Sequence, residues 1–313
     1  GASVPSVTLF MTPKPAIRYR QAIFIYTGSL RTVDTLTPAG DERLVGRRTI
    51  TMEFLLEHEP QIRLGAFLGT LSVMVLWEFL GPRLTIPRRR RWPENISIVV
   101  VNTVLVRLIF PILPIGAAVH AHTQGWGVLN QIDLPGVAAV IITVAALDLA
   151  IYGQHILFHK IPILWRLHRM HHADTGFDAT TGVRFHPIEI VLSIAIKMGF
   201  VIVIGAPAAA VMIFEVLLSA ASVFNHANVN LTGAADRTLR LIVVTPDMHR
   251  VHHSSARTET DSNFGFNVPW WDHVFGTYRD QPDLGHDGMQ IGLPEFRDAD
   301  EQRLDKLMTQ PFR

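Results

Sequence analysis

Nine histidines of this chain fall into four tight groups. They are His155 and His159 (HxxxH), His168, His171 and His172 (HxxHH), His226 alone in "FNHANVN", and His249, His252 and His253 (HxxHH). Spacings of three and four place side chains on one face of a helix. Two imidazoles one turn apart can grip one metal ion, and a third beside them can reach a second ion or the same one from another side. Imidazole nitrogen suits iron, zinc, copper or nickel. Nine candidate ligands exceed the needs of one ion and suit two. A structural zinc needs only four ligands and no repeated boxes. A zinc protease carries HExxH, whereas "HRMHH" has Arg169 at the glutamate position. A haem protein places single histidines in mid-span, and a zinc transporter carries looser histidine-rich loops. Two redox metals held mostly by neutral nitrogen at a membrane surface suit oxygen activation, with a substrate that lives in the bilayer.

The elements that must carry these groups are apolar. Of 313 residues, 48% are hydrophobic and only 18% charged, below the usual quarter. The apolar residues concentrate in Leu64–Leu80, Ile96–Val119, Val137–Tyr152, Ile188–Ile204 and Ala206–Val223. A helix that crosses a bilayer needs about 20 such residues. The expected fold is therefore all-α and integral to a membrane, a bundle of about four to five membrane helices with a cytosolic cap of histidines built for two metals. The last two stretches read as two spans or as a hairpin that dips and returns. Arg83 and Arg88 to Arg91 lie between the first two stretches, and such clusters stay in the cytoplasm. Counting spans from there puts every histidine box on the cytoplasmic face. A net charge of +1 gives no nucleic-acid footprint.

Four segments follow. Residues 1–51 are polar and irregular and read as a poorly ordered extension ahead of Met52. Residues 52–136 hold the N-terminal membrane helices, 137–280 the catalytic region and 281–313 a soluble tail. Near the boxes, Asp148, Tyr152, His155 and His159 share one helical stripe. Asp148 or Tyr152 is thus placed to orient a ligating ring through its free N–H. Asp174 and Asp178 after the first HxxHH, and Asp247 and Asn263 around the last, are further candidates for that role. Trp270 and Trp271 read as interfacial. His58, His120, His122, His273 and His286 read as ordinary polar residues.

The segments "DLAIYGQHILFHKIPILWRLHRMHHAD", "FDATTGVRFHPIEI", "FNHANVN", "TPDMHRVHHSS" and "ETDSNFGFNVPWWDHVFGTY" occur in this order. With them the chain resembles the fatty acid hydroxylase superfamily, and most closely the bacterial members called sterol desaturase family proteins. The resemblance implies two iron ions in the boxes, with zinc able to substitute in a purified sample. It also implies O2-dependent hydroxylation or desaturation of a lipid C–H bond. Some members carry a second HxxxH between the two HxxHH boxes; here His226 is followed four residues later by Asn230. His186 is the other candidate for a tenth ligand or a supporting role. With no cysteine and no GxGxxG fingerprint, the electrons for such a reaction must come from a separate reductase, ferredoxin or cytochrome. The competing expectation is a metal-binding membrane protein, for transport or structure, without oxygenase activity.

Overall fold

The computed structural model describes residue 54 and residues 57–313, except residue 87. The expectation for residues 1–51 lies outside the described residues. Seven helices and their connections set the frame: α1 (Glu59–Leu80), α2 (Arg91–Ile109), α3 (Pro114–Gln124), α4 (Gly136–Lys160), α5 (Pro162–His172), α6 (Pro187–Ile204) and α7 (Ala208–Asn225). The smaller α8 (Gly233–Leu239), α9 (Pro246–His252), α10 (Arg257–Thr260), α11 (Trp270–Phe275), α12 (Gly285–Gly288) and α13 (Leu304–Thr309) follow. Among the described residues, five candidate spans are long and apolar enough to cross a bilayer: α1, the α2–α3 stretch, α4, α6 and α7. Leu76, Leu80, Leu108, Val137, Ile141 and Val203 are exposed on them, as a lipid-facing surface requires. The chain is an integral membrane protein.

Local chemistry sets the breaks. The apolar stretch Ile96–Val119 is not one rod. Pro111 and Pro114 cannot donate backbone N–H and disfavour helix at the residue before them, so α2 stops at Ile109 and α3 restarts at Pro114. The last two apolar stretches are two separate 18-residue helices. Their turn passes through Gly205 at φ +72°, a left-handed helix cap that favours glycine. Prolines at the first turns start α1, α3, α5, α6 and α9, where a missing N–H costs nothing.

The core joins α3, α4, α6 and α7 through Ala117, Ala118, Leu147, Val201, Val211 and Phe214. Its alanines let the helix backbones approach closely. Helix α1 lies along α7 through Met74 and Val223. The fully buried Glu78 at its end accepts backbone N–H bonds from Ala179 (2.7 Å) and Asn228 (2.9 Å). The C-terminal segment is more than a tail. Leu307 of α13 is fully buried against Ile98 and Met170. The Pro311 carbonyl accepts from Arg166 Nε at 2.6 Å, and the Gln310 and Arg313 carbonyls accept from Arg169. The segment therefore braces α5 from below.

Arg91 ties the membrane helices to the loop after α5. Its guanidinium meets Asp174 at 2.5 and 2.6 Å and Asp178 at 2.7 Å, all of them buried. Removing one partner of a buried charge pair strands the other. Arg91→Ala should cost about 3–5 kcal/mol of stability, while Arg91→Lys, which keeps charge but loses the fork, should cost less. Thermal unfolding of the purified variants in detergent checks this; an unchanged midpoint for Arg91→Ala would show that the network carries no load.

Candidate metal centre

The nine box histidines arrive at one place from four directions. α4 ends with His155 and His159. Ile161 caps α4 and begins the turn into α5, which opens at Pro162 and carries His168, His171 and His172. His226 follows directly on α7 as its C-cap. Thr245 caps α9 by accepting from the Met248 N–H, and α9 presents His249 and His252, with His253 at its end. All nine rings are buried.

They sort into two neighbouring groups. His155, His159, His168, His172 and His252 form one; His171, His226, His249 and His253 form the other. Within each group one ring nitrogen per residue lies within 4.8 Å of all the others. The two HxxHH boxes therefore do not each serve one group. Each splits between them, and His172 stacks on His253 with centroids 4.5 Å apart.

The outer ring nitrogens fix the tautomers. A carbonyl or carboxylate can only accept, so a ring nitrogen facing one carries the proton. His155 Nδ1 donates to the Phe264 carbonyl (2.9 Å) and His171 Nδ1 to that of Arg184 (3.2 Å). His226 Nδ1 donates to the Ser222 carbonyl (2.7 Å) and His252 Nδ1 to that of Ser262 (2.7 Å). His168 Nδ1 donates to Glu189 at 2.6 Å, and His159 Nδ1 faces Asp261 at 3.4 Å. In the neutral rings, each of these leaves a bare lone pair on Nε2.

Those lone pairs point at one another. His155 Nε2 and His168 Nε2 are 3.2 Å apart, as are His171 Nε2 and His226 Nε2. Neither pair has a proton to share. His226 Nε2 also lies 3.1 Å from His249 Nε2 and 3.2 Å from His253 Nε2. His159 Nε2 and His252 Nε2 are buried with no partner. Nitrogens about 2.1 Å from a common ion and separated by 90–109° lie roughly 3.0–3.4 Å apart. The donor set thus fits a metal ion in each group. Burial first, then neighbouring imidazoles, hold His171, His172, His249 and His253 well below the ordinary histidine range. Burial likewise pushes His226 down to about 4 and His252 to about 3. Neutral imidazole is the form that binds metal.

The supporting residues differ in part from those the spacing suggests. Asp148 does not reach a ring: it accepts from Asn267 Nδ2 (2.6 Å) and Trp271 Nε1 (2.8 Å) and so anchors the α11 region to α4. Trp271 is half-buried with its N–H on Asp148, while Trp270 is exposed and donates to the Leu241 carbonyl. Tyr152 acts at a distance. Its hydroxyl pairs with Thr277 Oγ1 (2.8 Å), which donates to Asp272. Asp272 accepts from the Phe264 and Gly265 N–H groups, and the Phe264 carbonyl holds His155. Asn263, at φ +50°, donates to the carbonyls of Met248 and Arg279 and so pins α9. Asp247 faces Arg83, Arg250 and the ring of His286 instead of a box histidine. Asn230 is exposed, its N–H bound to the Gly81 carbonyl. His186 caps α6 by accepting from the Ile188 N–H, and its Nε2 donates to the Met308 carbonyl; it joins neither group. Asp174 and Asp178 hold Arg91. Burial alone would raise the Asp174 carboxyl, but Arg91 and Arg184 keep it well below the usual carboxylate range. Glu189 and Asp261, the two carboxylates that do meet rings, had no spacing signal to reveal them.

A cavity of about 520 Å³ reaches His155, His168 and His171 from within the bundle. Its walls near the rings include Phe158, Phe185 and Phe266. Members of both histidine groups thus border one largely apolar space.

Metal-free protein should respond to acid in a defined direction. The unfolded chain takes up protons near the reference value of about 6.5 that the buried rings refuse. Stability is therefore full above about pH 6.5 and falls as pH drops toward 4, by about 1.4 kcal/mol per pH unit for each such ring. Urea unfolding of metal-stripped protein from pH 7.5 to 5 measures this; stability that is flat or rises over that interval contradicts it.

Residues 140–277, which include all nine box histidines, match the fatty acid hydroxylase family model. An ornithine lipid hydroxylase of Rhizobium tropici is 30% identical over 53% of this chain and 48% of that protein. Alkylglycerol monooxygenase of Homo sapiens is 29% identical over 42% of this chain and 28% of that protein. A cholesterol 25-hydroxylase-like protein of Danio rerio is 24% identical over 71% of this chain and 94% of that protein. The match spans about half the length of the first of these relatives and less than a third of the second. No solved structure matches the chain. Through residues 140–277, the chain belongs to the fatty acid hydroxylase superfamily.

Proposed function

We propose that this chain is a membrane enzyme that uses O2 to hydroxylate or desaturate a lipid C–H bond at a centre of two iron ions. The observation that carries this reading is the pair of buried histidine groups, each with opposed lone pairs, on the border of one largely apolar cavity. His155, His159, His168, His172 and His252 would hold one ion, and His171, His226, His249 and His253 the other. When bound, the two ions supply O2 activation and the capacity to take hydrogen from an unactivated carbon. The relatives' names point the same way, since they include hydroxylases and a monooxygenase of lipid-type compounds.

The chain's own residues do the rest. Glu189, Asp261 and the carbonyls of Arg184, Ser222, Ser262 and Phe264 hold six rings in the tautomer that offers Nε2. The phenylalanines at the inner end of the cavity exclude water and give an alkyl chain its path to the rings. The electrons come from a separate reductase, ferredoxin or cytochrome, since the sequence carries neither cysteine nor a dinucleotide fingerprint. The histidine face is assigned to the cytoplasm. The arginine-rich loop between α1 and α2 packs at the same end, where the Arg83 N–H meets the Asn228 carbonyl and Arg91 meets Asp174.

Purified protein is expected to carry two iron ions per chain, or two zinc ions when overloaded with zinc. His171→Ala and His252→Ala should each lose bound metal and abolish product formation while still inserting into membranes. Elemental analysis, with lipid profiling of cells with and without the chain, reads both. Metal-free protein with full activity, or full activity in these variants, would overturn the assignment.

A further inference from the structure

The cavity does not end in hydrocarbon. Its wall also carries Phe67, Val99 and Ile151 and the charged Arg63, Arg107, Lys197 and Glu215. Lys197 and Glu215 stand in the middle of their spans, Arg63 near the start of α1 and Arg107 near the end of α2. On α6, Lys197 is eight residues beyond Glu189, the partner of His168, or about 12 Å along the helix. On α7, Glu215 is seven residues before Ser222, about 10 Å. Charged side chains at such depth are costly and mark substrate paths or tight pairs.

A pair alone does not account for them. Lys197 Nζ donates to Glu215 Oε1 at 2.6 Å, which suffices to tie α6 to α7. Yet Arg63 approaches the same carboxylate at 3.2 Å while also pairing with Glu59 at 2.5 Å. Arg107 faces the same space and makes no ion pair among the described residues. Arg63 and Lys197 are matched by Glu59 and Glu215, and Glu189, the other carboxylate on the wall, is engaged by His168 at the histidine end, so the unmatched cation is Arg107, exposed near the end of α2. Lys197 is mostly buried, yet it makes one hydrogen bond of the three an ammonium can donate. The spare donors of Lys197, with Arg107 unpaired on the same wall, suit an anionic acceptor.

We propose that Lys197, with Arg63 and Arg107, forms an anion subsite that takes the carboxylate or phosphate headgroup of an amphiphilic substrate while its alkyl chain runs to the histidines. The inference rests on the lipid-oxidising reading above and narrows it. The substrate is an anionic amphiphile, and the carbon attacked lies about 12 Å from its headgroup. A neutral sterol or alcohol would offer Lys197 a weaker acceptor than a charged headgroup does.

The test is binding to the full-length protein in detergent, using hexadecanoate, hexadecyl phosphate and hexadecanol as probes of equal chain length. At least one anion should bind about tenfold or more tighter than the alcohol, the worth of a charge-assisted hydrogen bond. The tighter of the two anions then names the headgroup. Lys197→Gln should erase the preference and Lys197→Arg should keep it. Glu215→Gln removes a competing negative charge and should preserve or tighten anion binding. Equal binding of all three probes by the wild type overturns the proposal. So does equal weakening of the anions by Lys197→Gln and Glu215→Gln, the pattern of a merely structural ion pair. Because binding is read without turnover and metal is counted on the same samples, loss of the subsite and loss of the oxygenase reading are told apart.

Discussion

Two nitrogen lone pairs facing each other at 3.2 Å, with no proton between them, set the terms for this structure. Such a contact is unfavourable in a dry interior, where polar atoms need partners. It occurs once in each histidine group, and a cation between the nitrogens resolves it. The carbonyls and carboxylates behind the rings make the conflict unavoidable, because they commit the Nδ1 protons outward. A site so arranged couples metal binding to the stability of the folded chain. The pinning by Asn263, the relay from Tyr152 through Asp272 to Phe264, and the brace under α5 serve the same end. They hold rings that would otherwise separate.

The membrane helices place this centre at a boundary. α4 delivers two histidines only in its last turns, and His226 follows the last residue of α7. The helices α5 and α9, which carry the HxxHH boxes, are too short to span a bilayer. The rings therefore collect at one end of the bundle, while the cavity that borders them extends back between the spans. That geometry suits a substrate that stays in the bilayer and an electron donor that stays in water.

What the sequence revealed and what it hid divide along one line. Histidines three or four residues apart betray a shared helical face, so eight of the nine ring positions could be read directly, while His226 has no partner at that spacing. Long apolar runs betray membrane helices, but Ile96–Val119 reads as one stretch, and the break between α2 and α3 falls at its prolines. Partners distant in sequence leave no such mark. Glu189 meets a ring 21 residues before it and Asp261 one 102 residues before it. Backbone carbonyls have no sequence signature at all. The stripe shared by Asp148 and His155 is real on the helix, but tertiary contacts turned Asp148 toward Trp271. Asn230, in register with His226 by spacing, lies beyond the helix end, where the helical period no longer applies. How the two HxxHH boxes share their rings between the two groups also depends on packing, and no count of residues contains it.

The central claim is that imidazole nitrogens close around a metal in both groups. Iron K-edge X-ray absorption on the purified, iron-loaded protein tests it most directly. The account predicts a nearest shell dominated by nitrogen near 2.1 Å, with the outer scattering pattern of imidazole rings. A shell dominated by oxygen, or one without the imidazole pattern, would contradict it.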